Sequence, residues 1–386
     1  MVKQIIKGIV FKICYPFCYW IAARKSVRDD KVIFVENHQE TLSDNFRLLY
    51  DELQKRQYQI KVHYLKVADS NWKDIIIRTV RLLWDMADAK CIFLNESNSA
   101  FGVIPLRKET KLVQLWHACG AFKKWGFSVA QQQFGEDQKT LEKYSGHRNY
   151  WLVPVSGQAV CWAYAEAFGL KDDGKVIRPL GVSRTDVFFD AQKKVEARNH
   201  LYEINKKCCE RKIVLYAPTF RGDIKQAKSP DVLDIEKFTK TFGTEYMLVI
   251  KQHPFVKQRI NIPGDSADSC MEITNEMTIE ELLMVADVCI TDYSSVVFEY
   301  SLMHKPMIFL APDLDQYYDE RGFYYAYREF VPGPIVTDMS ELMEQMQSLK
   351  HFDYQKLETF RSAYMSGCDG NSTKRILETI YGKNFI

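Results

Sequence analysis

The sequence predicts an α/β protein of two domains, each with a parallel sheet flanked by helices. From residue 31 onward, short apolar runs of strand length alternate with segments of helical periodicity, as in parallel sheets. The chain has 386 residues, which is too long for one ordinary hydrophobic core. Polar motifs also follow several strand-like runs, and such sheets bind ligands beyond the carboxyl ends of their strands. Two Rossmann-like halves facing each other across a cleft are therefore expected.

The composition is that of a globular protein from a reducing compartment. Hydrophobic residues make up 46% of the chain, and no low-complexity tract is present. The formal net charge is only +2, so nucleic acid is not an expected partner. The ten cysteines are scattered, without a Cys-x-x-Cys pair, which indicates a cytoplasmic protein with no zinc site.

Residues 1–30 form a basic, aromatic-rich segment. Six lysines and arginines precede its first acidic residue, Asp29. The uncharged run 13–23 is too short to cross a bilayer. A segment of this kind suits the membrane interface, where anionic headgroups hold it, so we expect a membrane-associating helix. A core-packing helix with basic flanks and an uncleaved signal peptide remain the alternatives.

Residues 31–190 are expected to form the first Rossmann-like domain. Apolar runs predict its strands and a period of 3.6 residues predicts its helices. The predicted strands cover residues 32–36, 60–66, 91–95, 112–117, 151–155 and 175–180, and the predicted helices cover 44–55, 72–88 and 158–168.

Residues 191–368 restart the same layout after a charged helical stretch at 191–211, and residues 369–386 are expected to form a closing helix. No internal sequence repeat relates the two halves. The predicted strands of the second half cover residues 212–217, 246–252, 288–291 and 307–310, and its predicted helices cover 235–242, 278–286, 294–304 and 340–349.

The motif Thr291-Asp292-Tyr293-Ser294-Ser295 ends one predicted strand and opens a helix. A strand that ends in small hydroxyl residues before a helix presents free backbone N–H groups and the positive end of the helix dipole. These features predict a phosphate site at this turn.

Two histidines lie in tight motifs after predicted strands. His117 is followed by Gly120, whose missing side chain lets the backbone approach a ligand, although a lone histidine is more often structural. Cys119 beside it is either a nucleophile or a packed thiol, and the second is favoured. His253 precedes Pro254, which restrains the loop and holds the histidine in place.

Three further loops carry charged residues. Arg184 either clasps a phosphate or pairs with Asp186 to hold a turn. Thr219 and Arg221 are expected at the mouth of the cleft. The run Asp313-Leu314-Asp315 has the Asp-x-Asp form of some metal sites, but we interpret it as a solvated loop. Neither a Gly-x-Gly-x-x-Gly fingerprint nor a Gly-Lys-Ser/Thr loop is present, which disfavours hydride transfer and ATP hydrolysis.

Together these motifs resemble the CDP-glycerol glycerophosphotransferase family, the teichoic-acid primases and polymerases of bacteria. The resemblance rests on the order and spacing of the motifs after residue 31. They lie at residues 116–124, 181–186, 216–221, 253–254, 291–299, 305–306, 319–323 and 369–371.

The resemblance implies a GT-B-like fold with the donor bound mainly to the second domain. It also implies peripheral attachment to the cytoplasmic face of the cell membrane and a lipid-linked saccharide or polyol-phosphate acceptor. Two departures stand out. Many members have Trp-His-Gly-Thr-Pro where this chain has Trp116-His117-Ala118-Cys119-Gly120, and Asp is common at the position of Glu299.

The implied reaction moves glycerol phosphate from CDP-glycerol to an acceptor hydroxyl and releases CMP. His117 would be the general base, and His253 would meet the charge on the phosphate. Residue by residue, the expected donor contacts are Trp116, Ala118, Cys119, Gly120, Arg184, Pro218, Thr219, Arg221, Lys251, Gln252, Asp292, Ser294, Ser295, Glu299 and Arg321.

Several alternatives stay open at this point. CDP-ribitol is a second donor for the same mechanism, and a GT-B glycosyltransferase using a nucleotide-sugar is a second enzyme class. A membrane-surface nucleotide-binding protein without catalysis is the non-enzymatic alternative. Positioned charge can replace a metal, and Mg²⁺ is left open as a cofactor. The lack of long extra domains favours a primase or a short-chain enzyme over a polymerase that adds many units.

Overall fold

The chain folds into two compact α/β units. The structure is a computed structural model that describes residues 2–67, 70–130, 138–223, 226–383 and 385, without the side chains of 2–4 and 318–321. Unit 1 comprises the chain up to Ala118, Lys124–Asp186 and the chain from Ser366 onward. Unit 2 comprises Cys119–Lys123 and Val187–Met365. Both units contain parallel sheets, which confirms the predicted fold class.

Unit 1 is built on parallel strands whose central members are buried along most of their length. The strands are β1 Arg28–Glu36, β2 Gln59–Tyr64, β3 Ala89–Leu94, β4 Lys111–Gln114, β5 Val153–Pro154 and β6 Ile177–Arg178. Four of them form a sheet in the order β2-β1-β3-β4, and β5 pairs with β6. Val113 of β4 bridges Leu152 in parallel, so the β5-β6 pair begins where the larger sheet ends.

Unit 2 contains a six-stranded parallel sheet. Its strands are β7 Lys212–Tyr216, β8 Tyr246–Ile250, β9 Cys270–Glu272, β10 Val288–Thr291, β11 Met307–Leu310 and β12 Ile335–Val336. Their order is β12-β11-β10-β7-β8-β9. The predicted strands 288–291 and 307–310 are confirmed residue for residue, whereas the short edge strands β9 and β12 were not predicted.

The helices connect the strands and cover the sheets. Helices cover both faces of a parallel sheet, so both faces of its central strands are buried. The sequences of these strands are therefore continuously apolar. In chain order the helices are α1 Val2–Ile9, α2 Tyr15–Ala22, α3 Asp44–Lys55, α4 Trp72–Met86, α5 Ser99–Val103, α6 Gln138–Lys143, α7 Cys161–Phe168, α8 Ala191–Ile204, α9 Ile235–Phe242, α10 Ile279–Val285, α11 Val296–Ser301, α12 Leu314–Arg321, α13 Tyr327–Phe330, α14 Met339–Gln347, α15 Tyr354–Tyr364 and α16 Ser372–Tyr381.

The N-terminal segment is a continuous helical rod with two different faces. A π-helical stretch, Val10–Cys14, joins α1 to α2 without a break in helical backbone angles. The inner face is buried through Val10, Tyr15, Tyr19 and Ala22, and α2 contacts α4 and α5. The outer face instead exposes large apolar side chains, which are Ile5, Ile9, Ile13, Phe17 and Trp20.

The rod is longer than the uncharged run alone suggested. Its stretch Ile5–Ala22, 18 residues with the lysines included, is long and apolar enough by length and composition to cross a membrane. The uncharged run 13–23 is too short by itself to cross a bilayer, whereas the longer helical stretch that contains it is not. Length and composition do not separate a spanning helix from a signal sequence or a helix of a soluble core.

Strand adjacency brings the predicted motifs of unit 2 to one sheet edge. Tyr216, at the end of β7, pairs with Ile290 of β10 on one side and with Ile250 of β8 on the other. Neighbouring strands lie roughly 4.8 Å apart, so the loops that follow these three strands start side by side. In unit 1, Leu94 of β3 pairs likewise with Val35 of β1 and Gln114 of β4.

Gly120 is required by packing inside unit 2. Its φ is +63°, and a Cβ at this position would overlap the ring of Phe298. That ring is fully buried and packs against Phe122, Phe330 and Phe360. The glycine therefore accommodates an aromatic ring of its own unit, which differs from the expected role of admitting a ligand.

We expect Gly120→Ala to destabilise the protein more than Gly174→Ala. Gly174 also has a positive φ, of +70°, but nothing lies within 4 Å of its potential Cβ. Both variants place a Cβ at a positive φ, so both carry the backbone strain. Only Gly120→Ala adds overpacking, which typically costs about 1–3 kcal/mol. Denaturant titration of both variants measures the difference, and equal losses would show that the Phe298 ring is not what requires a glycine.

Candidate active site

The turn after β4 holds a strained tryptophan. Trp116 has a φ of +59°, which a bulky residue rarely adopts, and its N–H donates to Gln114 Oε1 at 2.9 Å. Its ring lies 5.2 Å from the ring of Phe168 and 6.0 Å from that of Trp125, measured between centroids. Strain of this kind persists only where the surroundings enforce it, and it concentrates at functional sites.

His117, next to this tryptophan, is arranged as a proton acceptor. Its Nδ1 lies 3.4 Å from the carbonyl oxygen of Asn95. A carbonyl only accepts, so Nδ1 carries the proton and Nε2 keeps its lone pair. Desolvation by the surrounding protein lowers the pKa of His117 below 6.5, although the residue is exposed to solvent. The Asn95 carbonyl opposes this effect, and the charges of Arg184 and His38 add to it. The imidazole is therefore neutral near pH 7.

The sheet order surrounds His117 with polar residues that the sequence analysis missed. Asn95 and Glu96 directly follow β3, and His38 follows β1 by two residues. His38 Nε2 lies 3.1 Å from a carboxylate oxygen of Glu96. Burial raises the pKa of Glu96, and the charge of His38 partly opposes this rise. The only sequence signal for these residues is that they follow predicted strands. This signal is weak, because polar residues follow strands in many loops.

The Arg184 loop has a different organisation from the expected Arg–Asp turn. The two carboxylate oxygens of Asp186 accept the backbone N–H groups of Ser372, at 2.9 Å, and Thr373, at 2.7 Å. Asp186 thus satisfies the first N–H groups of α16, a role that explains it without Arg184. Arg184 stays close enough to His117 for its charge to lower that histidine's pKa.

In unit 2, Asp292 is a structural centre. Its side chain is 2% exposed and accepts the N–H of Thr219 at 2.8 Å and of Tyr293 at 2.6 Å. Arg221 Nη2 lies 2.9 Å from its second oxygen. Arg221 also binds both oxygens of Asp313, at 2.6 and 3.0 Å.

These contacts give three residues a structural role. Arg221 and Asp292 hold neighbouring loops together, and their expected contact with the donor stays a prediction. Asp313 is not a solvated loop residue, because it accepts from Arg221 and from the Tyr293 hydroxyl at 2.9 Å. Burial lowers the pKa of Arg221, but its two carboxylate partners outweigh burial and raise it.

Two neighbours of His253 also bind within the protein. Lys251 Nζ donates to the carbonyls of Thr274, at 2.7 Å, and Met277, at 2.6 Å. The Gln252 side chain is 1% exposed, donates to Ser229 Oγ and Gln258 O, and accepts the N–H of Ile260. In the structure both side chains fix the loop that carries His253, and their expected contact with the donor stays a prediction.

His253 itself is arranged as a hydrogen-bond donor. Its Nδ1 accepts the N–H of Phe255 at 3.2 Å, so the proton of the neutral ring lies on Nε2. The ring packs between Phe220 and Phe255, with centroid distances of 4.8 and 4.7 Å. Burial lowers the pKa of His253 below 6.5, and the charge of Lys123 adds to this effect.

The remaining predicted residues of the β7 and β10 loops divide by accessibility. Pro218 is buried, and the hydroxyl of Thr219 is buried without a hydrogen-bond partner among the described residues. Ser295 precedes α11 and makes no side-chain cap, while Ser294 Oγ accepts the N–H of Val296. Helix α11 is shorter than the predicted 294–304, and Glu299 within it is 5% exposed.

The last predicted contacts are local. The carbonyl of Ala118 accepts the Tyr164 hydroxyl at 3.0 Å. Cys119 is 1% exposed, which agrees with a packed thiol rather than a nucleophile. The side chain of Arg321 lies outside the described part of the structure. Among the described residues, no cluster of three or more His, Cys, Asp or Glu side chains could hold a metal ion.

Comparison with known proteins adds the family. Residues 17–382 match the CDP-glycerol:poly(glycerophosphate) glycerophosphotransferase family. A teichoic acid ribitol-phosphate primase of Bacillus spizizenii is 34% identical over 386 residues, which cover 98% of this chain and 96% of the primase. A teichoic acid poly(ribitol-phosphate) polymerase of the same species is 33% identical over 95% of this chain but only 58% of the polymerase.

The fold has a solved counterpart in the wall teichoic acid polymerase TagF. The TM-score is 0.75 at 20% sequence identity, and the match covers 98% of this chain and 96% of that structure. This likeness supports the GT-B-like fold that the motifs implied. The family match also confirms the expected enzyme class, a glycerophosphotransferase. On its sequence match over nearly the whole length, the chain belongs to the CDP-glycerol:poly(glycerophosphate) glycerophosphotransferase family.

Proposed function

We propose that this protein transfers a polyol phosphate from a CDP-polyol to a hydroxyl group of a lipid-linked acceptor and releases CMP. CDP-glycerol is the donor that the family description supports. CDP-ribitol is the second candidate, because the ribitol-phosphate primase is 34% identical over nearly all of both chains. The observation that carries the proposal is the opposite state of Nε2 in two histidines, a lone pair in His117 and a proton in His253.

In this mechanism His117 activates the acceptor. Its Nε2 takes the proton of the attacking hydroxyl while the oxygen forms a bond to the β-phosphorus of the donor. The bond between that phosphorus and the oxygen of the CMP leaving group breaks in the same displacement. The contact of Nδ1 with Asn95 orients the ring and stabilises the charge that Nε2 gains.

Cationic groups and hydrogen-bond donors stabilise the negative charge on the transferring phosphate. His253 donates from Nε2, and Arg184 supplies a permanent cation. The N–H groups around Ser294 and Ser295 and the buried hydroxyl of Thr219 are further donors in unit 2. Glu299 would bind hydroxyl groups of the donor. Lys251 is left out of this set because two carbonyls already hold its ammonium group.

We also propose that the N-terminal rod lies along the cytoplasmic surface of the membrane. Arg107 anchors it to unit 1 by donating to the carbonyls of Ala23 and Ala87. The outer face carries exposed apolar side chains, and Arg24 and Lys25 stack on the rings of Trp20 and Trp84. Apolar rings beside cations suit the headgroup region, and the packed inner face favours lying in the interface over spanning it.

The donor class is tested by nucleotide release. We expect the purified protein to release CMP from CDP-glycerol or CDP-ribitol when an acceptor alcohol is present, and no UDP from UDP-sugars. Chromatography of the nucleotides measures all three donors in parallel, with reactions lacking acceptor as controls. Release of UDP alone would establish a glycosyltransferase, and donor binding without release of any nucleotide would establish the non-enzymatic alternative.

Glutamine substitutions separate the roles of the two histidines. A glutamine amide can donate as His253 Nε2 does, but it cannot take a proton as His117 must. We expect both alanine variants to lose about 10²–10⁴-fold in kcat. His253→Gln should recover roughly tenfold over His253→Ala, whereas His117→Gln should not exceed His117→Ala. Recovery at residue 117 instead would reverse the assignment.

The pH profile identifies the base. Protonated His117 cannot accept a proton, so kcat/KM should fall as the pH drops. Because burial lowers the pKa of His117, the midpoint of this fall should lie below 6.5. The residual activity of His117→Gln should lack the fall, since His253 remains a donor when protonated. A midpoint above 6.5, or a fall that persists in His117→Gln, would contradict the assignment.

A further inference from the structure

A cavity of about 580 Å³ lies beneath the N-terminal rod, entirely within unit 1. Its size falls in the range of about 300–1,000 Å³ that is usual for small-molecule sites. Two kinds of residues line it. Apolar side chains come from the rod and from α4, and they include Ile6, Val10, Phe11, Ile75 and Ile76.

The polar part of the lining comes from the sheet edge. Asn37, Ser97 and Asn98 follow β1 and β3 and bind one another, with Asn37 donating to Ser97 O at 3.0 Å and Asn98 to Asn37 Oδ1 at 3.1 Å. His38 belongs to the same lining, and its charge reaches His117. The polar part of the cavity is therefore next to the proposed base.

One cation on the cavity wall has no carboxylate partner among the residues that the structure describes. Lys7 lines the cavity, and its ammonium group lies 4.6 Å from the centroid of the Tyr144 ring. Within the described part of the chain, Lys7 forms no ion pair at 4.0 Å or less with an Asp or Glu. Its charge is thus available to a phosphate on a ligand in the cavity.

We propose that this cavity binds the apolar chain of the acceptor, a single-chain amphiphile with a phosphate group. The chain lies among the rod and α4, the phosphate meets Lys7, and the hydroxyl-bearing head extends past His38 towards His117. The choice of occupant rests on the proposed function. Apolar walls, a cation without a carboxylate partner among the described residues, and a polar end beside the base match the three parts of such a molecule. The membrane surface on which we propose that the rod lies would supply it.

Direct binding tests the proposal without turnover. We expect dodecyl phosphate, below its micelle concentration, to bind the full-length protein in calorimetry with one site, and inorganic phosphate to bind at least tenfold more weakly. Ile76→Trp, which fills the cavity from α4, should weaken dodecyl phosphate at least tenfold. Ile77→Trp is the matched control, because Ile77 is the adjacent residue, is 51% exposed and does not line the cavity.

A second variant guards against misfolding of Ile76→Trp. Lys7→Gln keeps the length of the side chain and should weaken dodecyl phosphate severalfold while leaving dodecanol unchanged. The proposal is overturned if the wild type does not bind dodecyl phosphate, if inorganic phosphate binds equally well, or if Ile76→Trp and Ile77→Trp behave alike. It is also overturned if Lys7→Gln binds dodecyl phosphate as the wild type does.

Kinetics keep this inference distinct from the proposed function. With an acceptor that carries a dodecyl chain, Ile76→Trp should raise KM at least tenfold and leave kcat unchanged. With the same head group lacking a chain, wild type and variant should have equal kcat/KM. Absence of CMP release by the wild type from any CDP-polyol would reject the function, whereas the calorimetry would still decide whether the cavity takes a chain.

Discussion

The buried carboxylate of Asp292 is the interaction on which the candidate site of unit 2 depends. It lies between the ends of β10 and β7 and binds a backbone N–H of each following loop. A charge buried this deeply is stable only when it is paired, and Arg221 supplies the pairing. Arg221 in turn holds Asp313, so one cation ties three loops together. These contacts hold the loops after β7, β10 and β11 in fixed positions relative to one another.

A second constraint is the direction of hydrogen bonding at each histidine. A carbonyl beside Nδ1 and an N–H beside Nδ1 place the ring proton on opposite nitrogens, so chemically identical side chains become an acceptor and a donor at Nε2. Burial lowers the pKa of both rings and keeps them neutral near pH 7. The backbone around each histidine, rather than the histidine itself, therefore determines what it can do.

The N-terminal rod shows how one helix serves two environments. Its inner aromatic residues bury against unit 1, which the alternative of a core-packing helix anticipated. Its outer residues stay exposed and apolar, which is compatible with the expected membrane attachment. One helix can have both faces, because it repeats every 3.6 residues and presents different surfaces on opposite sides. The cavity beneath the rod exists because α4 and the rod do not close completely on each other.

The fold class, most strands and helices, and the motifs at the strand ends could be predicted from the order of the residues. Apolar runs and helical periodicity are local signals, and the family motifs are defined by residue order. Both can therefore be recognised in the sequence. Which polar side chains are already hydrogen-bonded within the protein could be seen only after folding. The order of residues does not show that Arg221, Lys251 and Gln252 form hydrogen bonds within the protein. It also does not show that Asn95 and His38 lie beside His117. Those relations arise from the lateral order of the strands, which joins residues far apart in the chain and leaves no local pattern.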